Sequence, residues 1–190
     1  MRHSMLVGRF NLVSVLGRLG RLDEARAVGE QLVADCQSRE AAHFEGNART
    51  YLAEVLMLSE AWDETEREAS RAVELLAKTP AVAAYPTAIL ARALLAKGHT
   101  PAALELAGKA VAIADELGSG LEESDILARL TYAEAQLAIG AHAEARETIR
   151  VAAERVRTRA ARIQDPALRA SFLSKVWENA RTLELGQQQA

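Results

Sequence analysis

Seven arginines crowd one stretch of the chain: Arg146, Arg150, Arg155, Arg157, Arg159, Arg162 and Arg169, offset there only by Glu147, Glu154 and Asp165. Arg155, Arg159 and Arg162 share one face if the segment is helical. Such a face suits the oxygens of a phosphate or of an acidic partner. The plain alternative is an outer helix whose arginines are solvated. Nucleic-acid recognition would add interleaved aromatic side chains or a dedicated reading helix; neither is present, so no nucleic-acid partner is expected. His3, His43, His99 and His142 are scattered and lack companion ligands at metal spacing. Cys36 stands without a signature of a nucleophile. There is no phosphate-binding glycine loop, nucleophile elbow or supported pair of carboxylates. The expectation is a chain that is not an enzyme and carries neither cofactor nor metal.

What positions these residues is a repeat. Leu19-Gly20-Arg21-Leu22-Asp23-Glu24-Ala25 returns as Ser59-Glu60-Ala61-Trp62-Asp63-Glu64-Thr65, as Lys97-Gly98-His99-Thr100-Pro101-Ala102-Ala103 and as Ile139-Gly140-Ala141-His142-Ala143-Glu144-Ala145. Gly20, Glu60, Gly98 and Gly140 are 40, 38 and 42 residues apart. A period of this size without strand-like segments means stacked helical hairpins. Glycine at the turn supplies the positive φ that ends a helix cheaply. Glu60 in its place predicts a different or strained second turn.

The bulk composition agrees. The chain has 190 residues, 23 basic against 26 acidic side chains, a net charge of −3 and only 4% aromatics. Length allows one domain with its own core, and the scarcity of aromatics favours helices packed through small residues. A single cysteine excludes an intramolecular disulfide, which suits a reducing cytoplasm. Arg9 and Asn11 break the apolar N-terminal run, so no signal peptide is expected. No stretch is apolar enough to span a membrane.

Helical spacing predicts pairs over 5–19 and 22–37, 43–59 and 62–77, 82–97 and 101–117, and 122–139 and 142–163. The repeats are then about 5–40, 43–79, 82–118 and 121–163. Thr79-Pro80 ends the second hairpin, Thr100 precedes Pro101 as an N-cap, and Gly118-Ser119-Gly120 breaks the chain. Asp165-Pro166 opens a single closing helix over 166–185, followed by a polar tail at 186–190. Trp62 is expected in the core and Trp177 against the fourth repeat. The first hairpin has no covering element, so its outer face predicts either a preceding part of a longer protein or self-association as a homodimer.

These residues resemble the tetratricopeptide repeat. The large apolar positions are Leu12, Leu52, Leu90 and Tyr132, each followed by a small one: Val13, Ala53, Ala91 and Ala133. The next apolar positions are Leu16, Leu56, Leu94 and, as a departure, Gln136. The small positions of the second helices are Ala25, Thr65, Ala103 and Ala145. The family's usual repeat is about 34 residues, shorter than here. The resemblance implies an all-α, right-handed α-solenoid of four helical hairpins plus a C-terminal capping helix. Residues 165–179 further resemble the closing helix of the repeat regions in bacterial Ser/Thr kinases and regulatory NTPases, which often carry proline where this chain has Trp177.

The resemblance also implies a concave groove lined by the first helix of each repeat. Carried across, its positions include Phe10 and Ser14; Asn47, Thr50, Glu54 and Met57; Tyr85, Arg92 and Leu95; and Leu127, Leu130, Glu134 and Leu137. Ser14, Glu54, Arg92 and Glu134 form either a mixed-charge ladder setting the register of a peptide or a row of ion pairs stiffening the stack. The Lys and Asn clamp for a C-terminal carboxylate is not evident. The implied function is a cytoplasmic protein-interaction scaffold within a bacterial signalling protein, binding a peptide or partner protein. The alternatives are a small-ligand or peptide-pheromone sensor and a self-association module.

Overall fold

The computed structural model describes residues 3–38, 40–118 and 122–188, without the side chains of residues 3–7, 122 and 123. Eight helices form four hairpins: α1 (His3–Arg18) with α2 (Leu22–Gln37), α3 (Ala42–Leu58) with α4 (Trp62–Leu76), α5 (Pro80–Ala96) with α6 (Thr100–Leu117), and α7 (Glu122–Ala138) with α8 (His142–Ala161). Two shorter helices follow, α9 (Pro166–Ser174) and α10 (Trp177–Gln188). The chain is an all-α solenoid. Each helix packs on the next, and the first helices of successive hairpins also touch: α1 on α3, α3 on α5, α5 on α7. That extra contact puts them on the inner, concave side of the stack.

All four turns within hairpins share one geometry. Gly20, Glu60, Gly98 and Gly140 have φ of 76°, 57°, 80° and 79°. In each, two backbone N–H groups reach back to the helix that is ending: at the second turn, Glu60 N–H donates to Met57 O at 3.1 Å and Ala61 N–H to Leu56 O at 2.9 Å. This reciprocal closure satisfies carbonyls that the helix end would otherwise leave bare. Glu60 therefore copies the glycine conformation and is strained rather than different in path.

The small positions explain the close stacking. Val13, Ala53, Ala91 and Ala133, and Ala25, Thr65, Ala103 and Ala145, are all fully buried. A larger side chain at any of them would force neighbouring helices apart. Gln136, the departure from the apolar pattern, is buried and accepts a hydrogen bond from the Thr148 hydroxyl at 2.9 Å, joining α7 to α8. The first repeat differs from its copies. Leu12, expected in the core like Leu52, is 46% exposed, because no helix precedes α1 among the described residues to cover it.

Two local expectations need correction. Thr100 lies inside the first turn of α6 and makes no capping hydrogen bond. The closing segment is two helices, broken at Lys175–Val176. Asp165 does cap α9, its carboxylate accepting from Ala167 N–H at 2.7 Å and Leu168 N–H at 3.0 Å. Asn179 then donates its side-chain N–H to Phe172 O at 3.0 Å, satisfying a carbonyl where α9 ends. Ser119, Gly120 and the last two tail residues lie outside the described residues.

Candidate interaction site

The concave side is occupied by the start of α10. Trp177 packs against two core clusters, one that includes Tyr85 and Leu127 and one that includes Leu130. Arg92 lies over the Trp177 ring, 5.3 Å from its centre, close enough for cation–π attraction. Arg92 also pairs with Glu134, whose other oxygen accepts from Arg181 Nε at 3.0 Å. Glu178, the residue after Trp177, reaches across to the end of α1 and accepts from Arg18 at 3.2 Å. Arg18 in turn donates to Glu54 Oε1 at 3.1 Å.

Few of the groove residues read from the sequence face solvent. Phe10, Thr50, Glu54, Met57, Tyr85, Leu127 and Leu130 are buried. Ser14, Asn47, Arg92, Leu95, Glu134 and Leu137 are half-buried. Phe10 stacks on Tyr51 of α3, and Asn47 turns back onto its own helix, donating to His43 O at 2.8 Å. The ladder positions Glu54, Arg92 and Glu134 are linked through Arg18, Arg181 and Trp177, three residues that sequence spacing did not select. Arg18 has a signal that could have found it: it ends a first helix one turn beyond Ser14, on the same face. Trp177 and Arg181 have none, since their place depends on how the chain folds back.

Charge is handled unevenly here. Burial pushes the Glu54 carboxyl above its ordinary value, although Arg18 and the neighbouring Ser14 and Tyr85 hydroxyls oppose the rise. Burial likewise holds the Tyr85 phenol well above its ordinary range, reinforced by Glu54. One oxygen of Glu178 and the Nε of Arg92 are buried without a hydrogen-bond partner among the described residues. The docking of α10 is therefore not fully satisfied.

The second candidate face is built differently from a solvated helix. Asp125 on α7 is almost fully buried and sits among three arginines. It accepts from Arg129 Nε at 2.8 Å, Arg155 at 3.2 Å and Arg159 at 2.6 Å. Asp115 on α6 pairs with Arg129 and, at 2.8 Å, with Arg155. Arg155 and Arg159 are thus turned onto carboxylates of α6 and α7 and tie three helices together. Arg162, one turn on, lines a cavity with Arg159.

No group of side chains suited to a metal ion occurs among the described residues, and no described helix is long and apolar enough to cross a membrane. No protein-family model matches the chain. No curated protein matches it either. Among solved structures the chain is similar to TPR-like repeat proteins. Two crystal structures of nearly identical TPR-like repeats, from a kinesin-light-chain-type protein of Podosopora anserina and a single-residue variant of it, align with a TM-score of 0.66. The alignments cover 99% of this chain and 90% of theirs, at 25% identity for the variant and 24% for the other. The architecture is that of a TPR-like helical-repeat scaffold, a class built for protein interaction.

Proposed function

We propose that this chain is the interaction region of a multidomain bacterial signalling protein, and that its concave face binds an amphipathic helix or peptide of a partner protein. One observation carries the reading: the face already grips a helix. Trp177 under Arg92, Glu178 on Arg18 and Arg181 on Glu134 are the contacts such a partner would make. A partner presenting an aromatic residue, then an acidic one, then a basic one a turn later would compete for the same place. The signalling context rests on the likeness of residues 165–179 to the closing helix of bacterial kinase repeat regions. Cytoplasmic location and a non-catalytic role belong to the same reading.

A labelled peptide of residues 175–188 tests this against the full chain. Weak binding to the wild type and at least about tenfold tighter binding to Trp177→Ala is expected, because the variant's own helix competes less well. Loss of that binding on adding Arg92→Ala would place it on the concave face. A peptide that binds neither protein ends the proposal.

A second reading, self-association, is favoured by Leu12 and Val15, which are 46% and 52% exposed on α1. Light scattering across micromolar concentrations should then show a dimer that Val15→Glu abolishes. A monomer at every concentration discards this reading.

A further inference from the structure

The sixth residue after the turn position is Arg26, Glu66, Leu104 and Arg146 in the four hairpins. Where that side chain is charged and another hairpin follows, the following hairpin pairs with it. Arg26 on α2 donates to both carboxylate oxygens of Glu64 on α4, at 3.1 and 2.6 Å. Glu66 on α4 accepts from Lys97, just past the end of α5, at 2.7 Å. The Arg146 side chain on α8 has no hydrogen bond or ion pair among the described residues.

Arg146 lines a groove of about 490 Å³ between α8 and α10. Ile149 and Ala153 of α8 and Gly186 of α10 form its apolar part, and Arg146, Arg150 and Arg157 its charged part. Arg150 is held by Glu147 and Glu154. Arg157, like Arg146, has no carboxylate partner among the described residues. The groove has a definite place in the repeat. α10 packs on α8 and α7, as α7 packs on α6 and α5, so α10 stands where the first helix of a fifth hairpin would. Gly29 of α2 lies against Leu52 of the next first helix; Ile149, at the same distance from its own turn, lies against Gly186. The groove is thus where the second helix of that fifth hairpin would lie, and none of the described helices fills it.

We propose that this groove docks a helix of a partner protein whose first turn carries two carboxylates, the chemistry that α4 presents to α2 with Asp63 and Glu64. One carboxylate meets Arg146 as Glu64 meets Arg26. An acidic side chain about three turns further along the helix meets Arg157. Opposite charge across the contact sets the register and rejects helices with a basic start. The occupant is a lone helix, because α10 already holds the place of its hairpin companion. A second copy of this chain fits poorly, since its α2 comes joined to α1. The surface belongs to the second helices of the hairpins, away from the concave contacts of Trp177, so it stands or falls independently of the partner-helix proposal.

Fluorescence anisotropy of the full chain with a labelled peptide of residues 61–78 tests it, since this peptide carries the acidic turn that Arg26 already holds. Saturable binding is expected. It should weaken at least fivefold for the peptide with Asp63→Asn and Glu64→Gln, and at least tenfold for the chain with Arg146→Glu and Arg157→Glu. Both arginines are exposed, so circular dichroism of that chain should match the wild type. A peptide with Glu64→Arg should in turn bind the Arg146→Glu chain more tightly than it binds the wild type. No saturable binding at millimolar concentration, equal binding of the uncharged peptide, or binding untouched by the paired arginine variant overturns the proposal. Tighter binding of oligothymidylate than of the peptide overturns it in favour of nucleic acid. A concentration-dependent dimer that Arg146→Glu dissociates overturns it in favour of a second copy.

Discussion

Glu60 is a glutamate in a glycine's conformation, at φ 57°. Relieving it should help: Glu60→Gly is expected to raise unfolding free energy by about 0.5–1 kcal/mol in denaturant titration, whereas the same change at an ordinary helical position would lower it. Asp125 carries the opposite risk. Asp125→Ala leaves Arg155, Arg159 and Arg129 gathered around an absent acceptor and should cost about 3 kcal/mol, far more than loss of an exposed pair such as Arg71–Glu74. Glu54 gives a pH signature. Its folded-state carboxyl titrates above its ordinary value, so between those two values the folded state binds more protons than the unfolded one. Stability from this group falls as pH rises through that window and is regained as pH drops toward the ordinary value of 4.5. Glu54→Gln should therefore gain stability relative to wild type as pH increases, measured by thermal melts at several pH values; a difference that does not vary with pH would refute the assignment. Some of this was legible beforehand. The buried alanines announced themselves by recurring at one place in each repeat. Asp125 did not, because nothing in its local sequence tells a buried carboxylate from a surface one.

At the scale of helices, the hairpins were readable because period, turn glycines and small residues all agreed. The closing segment was not. Leu168, Phe172 and Val176 keep helical spacing through the break at Lys175–Val176, and neither glycine nor proline marks it. The interruption is held by Asn179 on Phe172 O, a contact that spacing does not reveal. Helix contacts also set limits on substitution. A Cβ on Gly46 of α3 would lie 2.7 Å from Cγ and 2.9 Å from Cδ2 of the fully buried Leu76 at the end of α4. Gly46→Ala should thus destabilise by at least about 1 kcal/mol despite alanine's better helix propensity, and a stabilised variant in thermal melts would show that α4 yields there.

Across the whole molecule, α10 lies against the first helices of the repeats, with Trp177 beside Arg92, Arg181 on Glu134 and Glu178 on Arg18. The sequence could place the first helices of the repeats side by side, since neighbours in a solenoid are neighbours in the chain. It could not place α10 against α1, because that contact spans 160 residues. The bond has a consequence for how the stack comes apart. A solenoid held only by adjacent contacts frays from its ends, each terminal hairpin opening with its own small free energy. Glu178 on Arg18 ties the first hairpin to the last helix, so the two ends share one opening event. Hydrogen exchange should show it: Glu178→Ala ought to speed amide exchange in α1 and α2, at the opposite end of the chain, as well as in α10. Protection unchanged in the first hairpin would mean that the two ends open independently.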